Sequence, residues 1–434
     1  MASKQKVSIF WFRRDLRLFD NTALQQALDS RYPVLPIFIF DTNILDKLAN
    51  KHDARVAFIY NNIKHLKETL ETKGATLEVI HNPVEAAFKT LLEKYDVHAV
   101  FANKDYEPEA VARDTFVRGL LHEQHIPLHL FKDQVIFEGA EILKQDGSPF
   151  KVFTPYKKAW LAKFHQLKTT PIQDAGYDGF LQTKPLAMPD ITSLGFYAVD
   201  SGFPPIEVAT SLIKNYDQTR DFPSVDGTSR LGVHFRFGTI SIREKALKAA
   251  PLNAIWLNEL IWREFYSAIL QHWPHVVTHS FHSKYDLIPW INDHGQFALW
   301  CRGMTGYPLV DAGMRELNAT GYMHNRVRMV VASFLTKHLL IDWRWGERYF
   351  ADKLLDYELA SNNGGWQWAA GTGTDAQPYF RVFNPESQAA KFDPDKVYIK
   401  KWVPEFDTPV YPEPIVDHKT ARERAIQTYK AVVS

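Results

Sequence analysis

Five short apolar runs, "VSIFWF", "PVLPIFIF", "TLEVI", "HAVFAN" and "IPLHLF", recur through the first third of the chain. They are rich in β-branched and aromatic residues, and each is short enough to be one strand. Helical patterns lie between them, as over Asp53 to Thr72 and Pro83 to Lys94. Strands that alternate with helices close most readily as a parallel sheet, because a parallel pair needs a crossover. We therefore expect a Rossmann-like α/β domain over 1–133. No G-x-G-x-x-G follows the first run, so the usual dinucleotide fingerprint is missing. A ligand at the carboxyl ends of the strands is still compatible with such a sheet.

Beyond it, Gln134 to Pro205 is punctuated by Gly, Pro and Asp, as in "QDGSPFK", "PIQDAGYDGF" and "DSGFPP". That composition reads as a long linker over 134–205 with one short helix near Pro155–Phe164. From Ile206 the patterns turn helical, giving an all-helical domain over 206–434. "NAIWLNELIWREFYSAIL" is apolar almost all round and predicts a buried helix. "MHNRVRMVVASFLTKHLL" sets Met323, Val327, Val330, Val331, Phe334 and Leu335 on one stripe of an amphipathic helix.

Composition narrows the function. The chain has 434 residues and a formal net charge of +1, which argues against coating nucleic acid by bulk charge but leaves room for a local basic patch. One cysteine, Cys301, excludes an intrachain disulfide and any multi-cysteine metal site. No metal site is expected: "HEQH" at His122–His125 has the wrong spacing for H-E-x-x-H. Neither a P-loop nor a G-x-S-x-G elbow is present. Charges interrupt the first apolar run at Arg13, and no run is long enough to span a bilayer, so a cytoplasmic protein is expected. Twelve tryptophans stand in the chain, and only Trp11 and Trp160 precede position 200. Whatever needs indoles lies in the second half.

Three stretches there carry candidate chemistry. Glu259, Trp262, Arg263 and Tyr266 share one face of the buried helix. Two readings of that face stand level: an internal Glu259–Arg263 pair, or a carboxylate and an indole that together bind a base. In "HNRVRM", Asn325, Arg328 and Met329 share a face, Asn325 offers an amide fork, and Arg326 points elsewhere and suits a phosphate. In "DYELASNNGGWQW", Asp356 is placed to neutralise Arg328, Asn362 offers an amide, and Gly364 and Gly365 let backbone approach a flat ligand. Trp366 and Trp368 stand two apart, so in a strand or at a helix start they serve different neighbours. Earlier, in "DGTSRLG", Thr228 and Ser229 read as N-cap residues of a helix whose start is an anion site.

Taken together, "WFRRDLRLFDNTAL", "GTSRL", "LNELIWREFY", "TGYPLVDAGMRELNATGYMHNRVRM", "DWRWGERYF" and "NNGGWQWAAGTGTDAQPYFRVFNP" resemble the photolyase/cryptochrome family over nearly the whole chain. Within it the chain is most similar to class I cyclobutane pyrimidine dimer photolyases. The resemblance implies an FAD held in the helical domain, UV-damaged DNA as substrate, and a monomer. It implies FAD contacts from Tyr216, Thr228, Ser229, Arg230, Leu231, Gly232, Trp256, Arg263, Arg328, Asp356, Tyr357, Glu358 and Asn362. Glu259, Trp262, Asn325, Met329 and Trp368 would line the pocket for the flipped dimer. Arg220, Arg326, Arg381 and Gln388 would hold the DNA, with Glu259 and Asn325 also touching it. Trp366, Trp343 and Trp290 match the family's photoreduction chain, in order outward from the flavin.

Some positions depart from the family pattern. Gly232 stands where many relatives carry serine, and Glu358 replaces a frequent aspartate. Folate-binding relatives use a carboxylate that aligns with Ala110 here, next to Glu109, and Val276 and Val277 replace a cysteine–lysine pair. These changes argue against a folate antenna held in that manner. A deazaflavin, a flavin, a folate bound otherwise, or no second chromophore stay open. Two rival readings are a cryptochrome-type light sensor and a six-four photolyase. Asn362 speaks against the first, where plant-type members carry aspartate. "HNRVRM" speaks against the second, which has a histidine pair there.

Overall fold

The computed structural model describes residues 4–167, 176–199 and 202–433. Parts of the Gly/Pro/Asp-punctuated stretch, 168–175 and 200–201, lie outside them. The chain forms two compact units, and each draws on separated segments. The first comprises Met1–Glu138, Leu167–Glu207 and Leu231–Lys248; the second comprises Gly139–Gln166, Val208–Arg230 and Ala249–Ser434.

The first unit is built on a parallel five-stranded sheet of order β3-β2-β1-β4-β5. Its strands are β1 (Lys6–Phe12), β2 (Val34–Phe40), β3 (Glu78–His81), β4 (Asp96–Asn103) and β5 (Leu128–Phe131). They are the five apolar runs. All of β2, and all of β1 past Lys6, are buried, as expected for inner parallel strands covered by helices on both faces. Ile9 pairs with Leu35 on one side and Val100 on the other.

Chain order reverses at β1, and the segment that follows β1 is tied down by its own polar groups. The Asn103 side-chain amide at the end of β4 donates to Asn21 Oδ1 at 2.8 Å. Arg14 pairs with Asp105 at 3.1 Å and Arg17 with Asp133 at 2.8 Å, the latter pair almost wholly buried. Burial alone would push these carboxyls up; the arginines hold Asp133 below its ordinary range.

The second unit is helical. The elements that position its site are α1 (Phe153–Phe164), α2 (Tyr216–Thr219), α3 (Ala254–His272), α4 (Asn325–Ser333), α5 (Trp343–Lys353), α6 (Leu359–Ala370) and α7 (Pro385–Phe392). α3 is capped by Asn253, whose side chain accepts from the N–H groups of Ile255 and Trp256. α4 is capped by His324, which accepts from the Arg326 N–H at 3.2 Å. Burial and the nearby Arg328 charge hold the His324 ring neutral, with its pKa lowered to about 4. The stripe expected on α4 is the buried one: Met323, Val327, Val330 and Val331 are at most 1% exposed. After Ser333 the chain widens into a π-helical turn, Phe334–His338, which the 3.6-residue period does not anticipate. Among the described residues no helix is long and apolar enough to cross a membrane.

Candidate functional site

A cavity of about 450 Å³ opens within the second unit, walled by α3, α4 and α6, by Arg220 just after α2 and by Phe350 of α5. α3 is buried on most sides, but Asn258, Glu259, Trp262, Arg263 and Tyr266 form a half-buried face, and all five line this cavity. α4 contributes Asn325, Arg328 and Met329, the face opposite its apolar stripe. The approach to α6 and α6 itself add Asp356, Tyr357, Glu358, Asn362, Gly365, Trp366 and Trp368. Thirteen of the residues expected on the site therefore share one cavity wall, from Arg220 in the chain after α2 to Trp368.

The charges are paired across helices. Arg328 donates to both oxygens of Asp356, at 2.9 and 3.2 Å, as the sequence suggested. Arg263 pairs with Glu358 at 2.7 Å, so the internal Glu259–Arg263 pair is not formed. Glu259 instead accepts from Arg220. An i, i+4 spacing permits a pair within a helix but does not exclude a partner from another element. Burial pushes the Glu259 carboxyl above its ordinary range, and the Arg220 guanidinium acts against that rise.

Asn362 is aimed by a residue the sequence did not single out. Its amide nitrogen donates to the Glu347 backbone oxygen at 3.0 Å and to Glu347 Oε1 at 2.9 Å. The Asn362 carbonyl oxygen is thereby left as an acceptor on the cavity wall. Burial raises the Glu347 carboxyl too, and the Asn362 amide that donates to it acts against that rise.

The two glycines part company. A Cβ on Gly365 meets nothing within 4 Å, whereas one on Gly364 would lie 2.2 Å from the Tyr266 ring. Gly365 leaves the cavity wall bare at that point. Gly364 serves helix packing instead, because α6 lies directly on Tyr266 of α3. Trp366 and Trp368 stand neither in a strand nor at a helix start, but near the carboxyl end of α6. They diverge nonetheless. Trp366 is 3% exposed and sits edge-on to Phe350 at 5.0 Å and Trp300 at 6.1 Å, while Trp368 is half-buried. Both still reach the cavity.

Other expected residues lie away from this wall. Trp343 is buried in the same apolar cluster as Trp366, and Trp290 packs against it. Arg326 pairs with Asp221 at 2.7 Å and lies 4.3 Å over the Phe392 ring. It shares a second pocket of about 390 Å³ with Gln388, on α7. Arg381 is exposed. Thr228 bonds the Tyr322 hydroxyl at 3.1 Å, and Ser229 accepts from the Trp256 indole at 3.4 Å. Neither caps a helix. The helix there starts at Gly232 after Leu231, with no side-chain cap, because Arg230 takes a positive φ and sets its entry. Arg230 lies 4.9 Å over the Tyr322 ring, and Tyr216 lies under Arg220 at 5.4 Å. Leu231 and Gly232 fall in the first unit. Ala110 is buried in its helix, and Val276 offers its backbone oxygen to Asn363 and Gln367. Asn258, Phe350, Leu354 and Ser361 line the cavity without having been singled out. Asn258 stands beside Glu259 in "LNELIWREFY", and that adjacency was the only signal for it.

Fold and site define a protein with a Rossmann-like unit and a helical unit whose cavity suits a large, flat, polar-edged ligand. The wall offers three guanidinium–carboxylate pairs, an open amide oxygen, a bare glycine and indole rings. The comparisons make this specific. Residues 256–431 match the model of the FAD binding domain of DNA photolyase, and residues 8–174 match that of DNA photolyase. The chain is 37% identical to the deoxyribodipyrimidine photo-lyase of Vibrio cholerae, over 97% of this chain and 99% of that one. It is similar to the crystal structure of a class III photolyase from Agrobacterium tumefaciens, with TM-score 0.88, 32% identity, and 100% and 99% of the two chains covered. It is similar also to an archaeal photolyase from Sulfolobus tokodaii solved with two FAD molecules, with TM-score 0.82, 34% identity, and 98% and 100% covered. The chain belongs to the DNA photolyase family, and its cofactor is FAD.

Proposed function

We propose that this chain is a light-dependent DNA-repair lyase that takes a cyclobutane pyrimidine dimer out of the duplex and splits it. The observation that carries the reading is the single cavity wall on which the expected cofactor residues and the expected lesion residues meet. Arg263, Arg328, Asp356, Glu358 and Asn362 would hold the FAD. When bound and reduced, that cofactor would supply the light-driven electron that opens the cyclobutane ring and would take it back as the two pyrimidines are restored, so that no net oxidation or reduction results.

The chain's own residues bind, orient and hold charge. A dimer stacks poorly and pairs poorly, so flipping it costs less than flipping an intact base. Trp262 and Trp368 offer it aromatic faces, each worth about 1–3 kcal/mol per base. Asn325 and Glu259 meet its polar edge, and a protonated Glu259 donates to a carbonyl oxygen on which negative charge grows. Arg220, Arg326, Arg381 and Gln388 hold the strand. Trp366, Trp343 and Trp290 carry electrons to the oxidised cofactor. The one cysteine and the apolar pattern support a cytoplasmic location, and we read the enzyme as a monomer that acts on damaged DNA.

Purified holoenzyme with reduced FAD and near-UV or blue light should restore cyclobutane dimers in an oligonucleotide to pyrimidines and leave six-four lesions untouched. Failure on the first lesion with FAD confirmed bound would sink this reading. Repair of the second lesion alone would turn it to the six-four class.

The proton on Glu259 gives a second test. Burial raises its pKa and Arg220 lowers it, so Arg220→Gln removes the lowering influence. With lesion saturating, repair should decline as pH rises through the Glu259 titration. The decline should move to higher pH in Arg220→Gln. A shift to lower pH, or none, would contradict the role given to Glu259.

A further inference from the structure

The face of Trp262 turned away from the cavity is not bare. Phe153, at the start of α1, stacks on it with ring centroids 3.6 Å apart and planes 6° from parallel. Offset or edge-on contacts are the usual arrangement for buried aromatic pairs. Edge-on geometry is what Phe265 shows toward both rings, at 5.8 Å to Phe153 and 5.7 Å to Trp262. The close parallel pair is thus a distinct feature of this wall. Phe153 is 8% exposed, while Trp262 is half-buried and lines the cavity. Phe153 covers one face of the indole, and part of the ring stays open on the cavity wall.

Phe153 is itself held by the segment beyond the end of α6. Its backbone N–H donates to Asp375 Oδ2 at 2.9 Å. Two residues earlier the Lys151 carbonyl accepts from Thr374 Oγ1. Thr374 and Asp375 lie just beyond the Gly371 C-cap of α6, the helix that carries Trp368. So a three-residue strap, from a segment whose composition reads as linker, ties the support of one indole to the end of the helix that bears the other.

We propose that Phe153 is a positioning residue of the lesion pocket, clamping the rear face of Trp262 so that its front face is fixed for the extruded dimer. The inference rests on the reading of Trp262 as a stacking wall. An indole pinned on one side has little freedom left to lose when a base arrives, so preorganisation raises affinity for the flipped lesion. It contributes nothing to undamaged duplex, which does not enter the pocket.

The test is a double-mutant cycle in the FAD-loaded enzyme, read as dissociation constants for dimer-containing and undamaged oligonucleotides. Phe153→Leu should weaken binding of the dimer about tenfold, an effect of the size of one aromatic stacking contact. FAD content and affinity for undamaged DNA should not change. In a Trp262→Leu background the same substitution should change dimer affinity by less than about twofold, since the ring it supports is gone. Phe153→Met, of similar volume and without a ring, serves if the leucine variant does not accumulate. A full penalty persisting without Trp262 would mean that Phe153 acts by general packing, and would overturn the proposal. So would Phe153→Leu with wild-type discrimination while Trp262→Leu has lost it. If Trp262→Leu itself keeps full discrimination, the reading of Trp262 fails first, and the clamp fails with it.

Discussion

Trp366→Phe should cut light-driven reduction of the oxidised cofactor at least about a hundredfold, roughly 3 kcal/mol of barrier. Repair by enzyme reduced chemically beforehand should stay within about twofold. The expectation comes from where the indole sits. Trp366 lines the cavity, is 3% exposed, and belongs to the buried apolar cluster that also holds Trp343. Trp290 packs against that cluster and meets Tyr429 edge-on at 6.0 Å. The indole nitrogens of Trp343 and Trp290 are buried and have no hydrogen-bond acceptor among the described residues. An indole that gives up an electron there has no neighbour to take its proton, so the positive charge is free to pass outward. Phenylalanine preserves most of the packing on Phe350 and Trp300 but is far harder to oxidise. Transient absorption after a flash measures the first effect, and a single-turnover repair assay measures the second. Loss of both activities with FAD fully bound would argue against the wire, as would unimpaired photoreduction.

The fold was legible wherever local pattern decides it. Each of the five apolar runs is a strand of one parallel sheet, and α3 and α4 lie where composition and period put them. The apolar stripe of α4 is the buried face, and Asn325, Arg328 and Met329 on the other side meet the cavity. Partnerships between distant segments were not legible. Glu259 finds Arg220 and Arg263 finds Glu358, across 39 and 95 residues, where spacing offered the nearer pair. Thr228 and Ser229 have the chemistry of caps, yet the turn at Arg230 carries the helix start three residues on. The π-helical turn buries Lys337 and His338 completely, though both are polar and the period gives no warning. Phe153 sat in a stretch read as linker, and nothing in "KVFTPYKKAW" tells which ring it covers. Identity of residue type survives in sequence; the choice among possible partners is made by packing.

The two adjacent glycines of α6 put that distinction to a second test with opposite expected outcomes. In a helix interior alanine is favoured over glycine by roughly 1 kcal/mol. Gly365→Ala should therefore leave the thermal stability of the apo-protein unchanged or slightly raised, since a Cβ there meets nothing within 4 Å. The new methyl would stand on the cavity wall, so FAD content and affinity should fall. Gly364→Ala places its Cβ 2.2 Å from Cδ1 of Tyr266 and 2.5 Å from Cε1, far inside contact distance. Tyr266 has little room to move, with Trp262 at 5.5 Å and Phe265 at 5.9 Å beside it. Overpacking of this kind costs about 1–3 kcal/mol or more and outweighs the gain in helix propensity. α6 must then lift from α3, which carries Glu259 and Trp262, so apo stability, FAD content and repair should fall together. Calorimetric melting of the apo-proteins, with FAD occupancy read by absorbance, separates the two variants. A Gly364→Ala protein as stable as wild type would mean that α6 does not rest on Tyr266. A Gly365→Ala protein with full FAD affinity would mean that this stretch of wall does not face the cofactor.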